Sequence, residues 1–258
     1  MASTSHRMLT AEREQCILEL LKRSDALTVS ALSEQLEVSE ATIRRDLQSL
    51  HERDLLERVH GGATLKAVGQ PELLFSDKES KCSAEKQRIA AAALELIQAH
   101  DTIYLDGGST VLQLARLLES RSGLTIVSNS LMAASLLMES RHRLILTGGE
   151  FRALSRTLVG PLSSPILQSI SVDKAFMGTM GFTLNDGMST TDASEAFTKK
   201  QIMCRSRQVI LLADHSKFGV PSFVNSGSLE DLQTVVTDSV SEEFQKRFEE
   251  LGIHLILA

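Results

Sequence analysis

Tryptophan is absent from the 258 residues, tyrosine occurs once, and aromatic residues make up 4% of the chain, so any core must be largely aliphatic. The three cysteines, Cys16, Cys82 and Cys204, are odd in number, far apart and form no CxxC pair. That argues against a disulfide framework or a cysteine-based zinc site and is the pattern of reduced thiols in a cytoplasmic protein. No apolar run approaches the ~20 residues that span a bilayer, and Met1 to Thr10 has no apolar centre of the kind a secretory signal needs. No membrane partner is expected. No cluster of His, Asp and Glu has metal-ligand spacing, so neither a metal nor a cofactor is expected. The net charge of −6 does not announce a nucleic-acid partner either. What remains is an ordinary globular composition, without repeats, long enough for a small domain and a medium one.

Residues 9–65 read as three short helices and a hairpin. Thr10, Thr28 and Ser39 stand where N-caps belong, because their hydroxyls can accept from the open N–H groups of a first helical turn. Ile17, Leu18 and Leu21 form one stripe, Val29, Leu32 and Leu36 a second, and Ile43, Leu47 and Leu50 a third. Leu56 to Val59, the turn His60-Gly61-Gly62, and Ala63 to Leu65 read as strand, glycine turn and strand. With Ile43, Leu47 and Leu50 turned inward, the far face of the third helix carries Ala41, Arg45, Gln48 and Ser49, flanked by Thr42 and Arg44. Small residues let a helix enter the major groove, and Arg or Gln can reach base edges or phosphates. Residues 1–70 hold nine Lys and Arg against eleven Asp and Glu, so this reading requires the basic residues to gather on one face. A three-helix bundle with a solvated third helix is the competing reading. The short connection Leu36-Glu37-Val38-Ser39, with its capping serine, favours a helix-turn-helix.

The string Val38-Ser39-Glu40-Ala41-Thr42-Ile43-Arg44-Arg45-Asp46-Leu47, followed by Arg58-Val59-His60-Gly61-Gly62-Ala63, resembles the DNA-binding domain of the DeoR family of bacterial sugar-metabolism regulators. The resemblance implies that Ser39, Thr42, Arg44 and Arg45 face DNA, with Arg58, His60 and Gly61 in or beside the wing. The expected organisation is a winged helix-turn-helix over residues 1–65, a linker over 66–84 and an effector-sensing α/β domain over 85–258.

From Ala84 helices alternate with strands, as in an α/β domain on a mostly parallel sheet. The turn Asp106-Gly107-Gly108-Ser109-Thr110 lies between a strand and a helix. Glycines there let backbone N–H groups approach an anion, and a helix N-terminus adds partial positive charge, so phosphate suits the turn. A tight turn chosen for geometry alone is the plain alternative. Ser128-Asn129-Ser130, Gly148-Gly149-Glu150, Gly178 and Asp214 to Lys217 also follow strands, which suggests one crevice. Glu195 and Lys199, at i and i+4, read unaided as a surface ion pair, and His215 as a hydrogen-bonding loop residue. The strings Leu105 to Thr110, Thr147-Gly148-Gly149 and Ala213 to Phe218 resemble the same family's sensor domain, which is similar in fold to ribose-5-phosphate isomerase and the coenzyme A transferases. The resemblance implies that Gly108, Ser109 and Thr110 hold a phosphate and that Asp106, Asn129, Glu195, Lys199, Asp214 and Lys217 line the sugar or polyol end. Gly107 and Gly149 are counted among the ligand-binding candidates with them.

The expected function is a DNA-binding regulator, a repressor of a carbohydrate-utilisation operon, that answers to a phosphorylated sugar, sugar alcohol or sugar acid. A dimer or tetramer is expected, since one wing-helix unit contacts too few base pairs. The competing class is an enzyme: a sugar-phosphate isomerase with an added N-terminal domain, using Glu195 or Asp106 as base and Lys199 or Lys217 as electrophile. An activator that needs no ligand is a third possibility.

Overall fold

The computed structural model describes residues 10–21, 27–36, 38–52, 55–59, 61–64 and 73–258. The chain divides into two compact units, Met1–Gln70 and Pro71–Ala258. In the first, α1 (Thr10–Leu21), β1 (Leu27–Thr28), α2 (Val29–Gln35), α3 (Glu40–Glu52), β2 (Glu57–Val59) and β3 (Gly62–Thr64) follow in order. The Thr28 hydroxyl accepts from the Ala31 N–H at 3.1 Å, and the Ser39 hydroxyl accepts from the Thr42 N–H at 3.3 Å. Both caps stand where the sequence places them. The three stripes meet: Ile17, Leu21, Val29, Leu32, Ile43, Leu47 and Leu50 are buried with Leu56 and Ala63. The wing is a three-stranded antiparallel sheet in the order β1-β3-β2. Gly61 turns it with φ +82°, a conformation that suits glycine. Glu37 and His60 lie outside the described residues.

A buried ion pair crosses this small core. Arg13 on α1 donates to Asp46 on α3 through Nε at 2.5 Å and Nη2 at 2.9 Å. Asp46 is therefore turned inward, away from the exposed face of α3. Removing one partner strands a desolvated charge, whereas replacing both with apolar residues does not. Arg13→Met should cost about 3 kcal/mol of unfolding free energy, and Arg13→Met with Asp46→Leu should recover most of it. Chemical denaturation of both variants checks this. A double variant as weak as the single would contradict it.

The second unit begins with α4 (Phe75–Ser80) and α5 (Ser83–Leu94). Then come β4 (Thr102–Leu105), α6 (Ser109–Leu117), β5 (Thr125–Ser128), α7 (Leu131–Leu137), β6 (Arg143–Leu146), β7 (Glu150–Arg152), β8 (Thr157–Val159) and α8 (Ser164–Ser169). The rest is β9 (Val172–Met177), β10 (Gly181–Thr183), β11 (Gly187–Thr190), α9 (Ala193–Met203), β12 (Ser206–Leu212), β13 (Val224–Gly227), β14 (Thr234–Thr237), α10 (Glu242–Glu250) and β15 (His254–Leu257). Seven strands form one sheet in the order β15-β14-β12-β9-β4-β5-β6, with every pairing parallel. Its side chains alternate between two cores. Ile103, Leu105, Ile126, Phe176 and Leu212 face one, under α5, α6 and α7. Tyr104, Val127, Ala175, Met177 and Leu211 face the other, with residues of α9 and α10. Phe182, Phe218, Phe244 and Phe248 pack ring to ring at centroid distances from 5.3 to 6.5 Å, anchoring the loop after β12 through Phe218.

The expectation of a linker over 66–84 needs correction. Its described part holds α4 and the start of α5. Phe75 is buried in the first core, and the buried Lys86 Nζ donates to the carbonyls of Lys78 and Lys81, the latter at 2.5 Å. One apolar anchor and a clamped corner tie α4 to the sensor unit. Its six residues are too few to show a period. A small antiparallel sheet, β10-β11-β13, and the hairpin β7-β8 were also not read from the sequence.

Candidate functional site

The strand order reverses between β4 and β9. From β4 the chain proceeds outward through β5 and β6, then returns to β9 and runs the other way. In an open parallel sheet, the crevice at the carboxyl ends of such strands is where ligands bind. Asp106 follows β4 and Gly178 follows β9. The Asp106 N–H donates to Phe176 O at 3.0 Å, continuing the ladder, and Gly178 N–H donates to Asp106 Oδ2 at 3.0 Å. Lys199, descending from α9, donates to that same Oδ2 and to Gly178 O at 2.8 Å. All three groups are buried or nearly so, and burial raises the Asp106 carboxyl above its ordinary range while Lys199 pulls it back. Both bonds to the Asp106 carboxylate from the described residues fall on Oδ2 and none on Oδ1.

The turn after Asp106 is shaped by close approach as well as by conformation. A Cβ at Gly107 would meet Thr157 Cγ2 at 2.1 Å, while Gly108 has φ +146° and open space where a Cβ would point. Gly108 leads into α6, whose first N–H groups have no intrahelical partner. The Ser109 hydroxyl is directed elsewhere, donating to Lys78 O at 3.2 Å. Asn129 is buried, and its Oδ1, which accepts no bond among the described residues, would lie 3.8 Å from a Gly107 Cβ. Gly149 has a different explanation from a ligand. A Cβ there would meet Val159 O at 2.7 Å, so β8 requires the glycine.

Glu195 and Lys199 are not the surface ion pair that their spacing suggests. Both are buried, and each pairs elsewhere. Glu195 accepts from Thr190 Oγ1 at 2.7 Å and from Arg152 Nη1 at 3.2 Å, and the Asp192 carboxylate caps α9 by accepting from Glu195 N–H. His215 meets its expectation, with Nδ1 2.7 Å from Asp238 Oδ2.

On the neighbouring strand end, Asp214 is buried and accepts from Ser216 N–H at 3.1 Å, closing the 3-10 turn His215–Lys217. Burial pushes the Lys217 ammonium down, Asp214 raises it, and Lys81 and Lys78 repel it. Burial likewise lowers Lys86, which Asp214 also raises. The sequence reading missed Lys78, Lys81, Lys86, Arg152, Thr157 and Thr190. Only Lys86 carried a signal: it shares the stripe of Ile89, Ala93 and Ile97, where a surface lysine does not belong. Between its folded value and the ordinary 10.5, Lys217 is protonated in the unfolded chain and not in the folded one, so this group adds stability as pH rises through that window. Anion affinity moves oppositely. The melting increment given by inorganic phosphate should shrink as pH rises toward 10.5, and should persist in Lys217→Arg, whose charge does not titrate there. A pH-independent increment in the wild type would contradict this.

The exposed face of α3 carries Ala41, Arg44 and Arg45, with Ser39 exposed just before it and Thr42, Gln48 and Ser49 half-buried. Arg44 pairs with Glu40 at 2.7 Å and Gln48 with Glu52 at 2.7 Å. Such exposed i, i+4 contacts contribute only a few tenths of a kcal/mol, so they yield readily to a better partner. Arg58 lies on β2 by its backbone, and its side chain is outside the described residues. Among the described residues, no group of three metal-ligating side chains gathers, and no helix is long and apolar enough to cross a membrane.

A capped helix-turn-helix with a small antiparallel wing, followed by an α/β unit with a polar crevice at its switch point, defines a DNA-binding transcription regulator with a sensor domain. The chain belongs to the DeoR family: a DeoR-like helix-turn-helix domain matches residues 13–67, and a DeoR C terminal sensor domain matches residues 81–239. It is 35% identical over 235 residues to the glycerol-3-phosphate regulon repressor of Escherichia coli, covering 90% of this chain and 92% of that one. It is 35% identical to the HTH-type transcriptional regulator GlpR of Haloferax volcanii, covering 96% and 98%. Ribose 5-phosphate isomerase from Methanocaldococcus jannaschii aligns over 52% of this chain and 53% of its own, at 20% identity and a TM-score of 0.39. The curated relatives are named as regulators, and the isomerase reading falls with that.

Proposed function

We propose that the protein represses a carbohydrate-utilisation operon and is released from its operator by a phosphorylated sugar, sugar alcohol or sugar acid. The observation that carries this is the pairing of two unlike subsites on adjoining strand ends. Lys217, in the field of Lys78 and Lys81, and the N-terminus of α6 favour an anion. Asp106, Asn129, Glu195 and Lys199 offer acceptors and a donor suited to hydroxyls. Gly107, Gly108 and Thr110 complete the turn between them, with Asp214 beside Lys217. On the DNA side, Ser39, Ala41, Thr42, Arg44, Arg45 and Gln48 enter the major groove, with Arg58, His60 and Gly61 at the adjacent backbone. A homodimer or homotetramer reads repeated half-sites, and light scattering should return a mass at least twice 28.2 kDa. A monomer at working concentration would contradict that. The regulator acts in the cytoplasm, where its operator is.

A melting panel tests the sensor half. Phosphorylated sugars and polyols should raise the melting temperature more than either inorganic phosphate or the unphosphorylated compounds, because only they fill both subsites. Equal shifts from the unphosphorylated compounds would overturn the phosphate assignment. No shift from any compound would favour regulation without a ligand.

A further inference from the structure

The lone tyrosine of the chain, Tyr104, is fully buried on β4, and its hydroxyl has no hydrogen-bond partner among the described residues. It faces Val127 on β5 and Ala175 on β9, all three on the α9 side of the sheet. Side chains two apart on an extended backbone share a face, so Tyr104 lies under Asp106, as Val127 lies under Asn129. Asn129 Oδ1 is itself buried and unpartnered. Two orphaned polar atoms thus occur on paired strands, Tyr104 Oη within β4 and Asn129 Oδ1 just past the end of β5. Burial raises the phenol well above its ordinary range, and the charges of Asp106 and Glu195 raise it further.

A buried hydroxyl without a partner destabilises the fold that holds it, and the same position filled by phenylalanine would be free of that cost. We propose that the Tyr104 hydroxyl is a specificity-determining group of the effector site, hydrogen-bonding with a hydroxyl of the bound polyol chain next to Asp106. The inference rests on the sensor reading above and deepens it. The occupant bears a free hydroxyl next to the carbon chain's innermost end, so a bare phosphate, or a phosphorylated compound lacking that hydroxyl, leaves Tyr104 unpaired. A site built to bond a substrate hydroxyl discriminates strongly against the analogue that lacks it.

The test compares wild type with Tyr104→Phe, which removes one oxygen atom and keeps the ring. Full-length protein is melted alone, with inorganic phosphate, and with sn-glycerol 3-phosphate, ribose 5-phosphate, fructose 1-phosphate and fructose 6-phosphate. The compound that shifts wild type most is then titrated. The expected result has three parts. Ligand-free Tyr104→Phe melts at or above the wild-type temperature, since an unpaired polar group has been lost. It keeps the inorganic phosphate increment. It binds the selected sugar phosphate roughly tenfold more weakly, the loss of about one hydrogen bond. Because the chain has no tryptophan, emission on tyrosine excitation reports Tyr104 directly and should change when wild type takes up that compound.

Equal affinities of the two proteins for the sugar phosphate would overturn the inference while leaving the sensor reading intact. So would a lower melting temperature for ligand-free Tyr104→Phe, which would show that the hydroxyl serves the fold. A wild type that responds to none of the sugar phosphates overturns both readings, and the wild-type arm alone distinguishes that failure from the others.

Discussion

Asp106→Asn protein is expected to bind operator DNA as tightly as the wild type and to stay bound when the inducing sugar phosphate is added. The substitution keeps size and shape, so the turn into α6 survives. It changes the count of acceptors. A carboxylate offers two oxygens, one for Lys199 and the Gly178 N–H and one for a ligand hydroxyl. An amide offers one oxygen, so either the buried lysine or the ligand loses its partner. Hydrogen bonds to charged groups contribute about 1.5–3 kcal/mol, which sets the loss of ligand affinity at roughly 10- to 150-fold. Titration calorimetry with the compound that releases wild type measures it. Melting without ligand serves as the folding control. Wild-type ligand affinity in this variant would remove Asp106 from the site.

Arg45→Ala should do the reverse, weakening operator binding and leaving the ligand response intact. Arg45 is exposed on α3, and alanine is the better helix former, so the fold loses nothing. An arginine contact to a base edge is worth about 1–3 kcal/mol. A dimer makes it twice, so the expected loss is about 2–6 kcal/mol, or roughly 30- to 25,000-fold. Salt dependence tells the kind of contact. Two lost phosphate contacts flatten the slope of log affinity against log salt by about 2, whereas lost base contacts leave the slope alone and relax sequence preference. Operator affinity equal to wild type would show that α3 presents a different face.

Local signals were legible and long-range ones were not. The caps at Thr28 and Ser39, the stripe Ile43-Leu47-Leu50 and the period-two strands follow from bonds and burial within a few residues, so the pattern alone exposes them. The two-residue β1 and the sheet β10-β11-β13 owe their existence to partners far along the chain; β13 pairs with β11 only after α9 and β12 intervene. The same holds for the site. Asp106 and Gly108 could be singled out because a strand-to-helix glycine turn is local. That Lys199 would meet Asp106 across 93 positions, and leave Glu195 to Arg152, depends on where α9 crosses the sheet. Helical spacing pointed to the wrong partner because both side chains are turned into the protein.

The most direct test of the central claim is a gel shift of the full-length protein on DNA from upstream of its own gene, at moderate salt, with and without the sugar phosphates of the melting panel. The proposed function predicts a specific complex that one phosphorylated compound dissolves and its unphosphorylated form does not. A specific complex that no compound alters, or release by the unphosphorylated form, would contradict it.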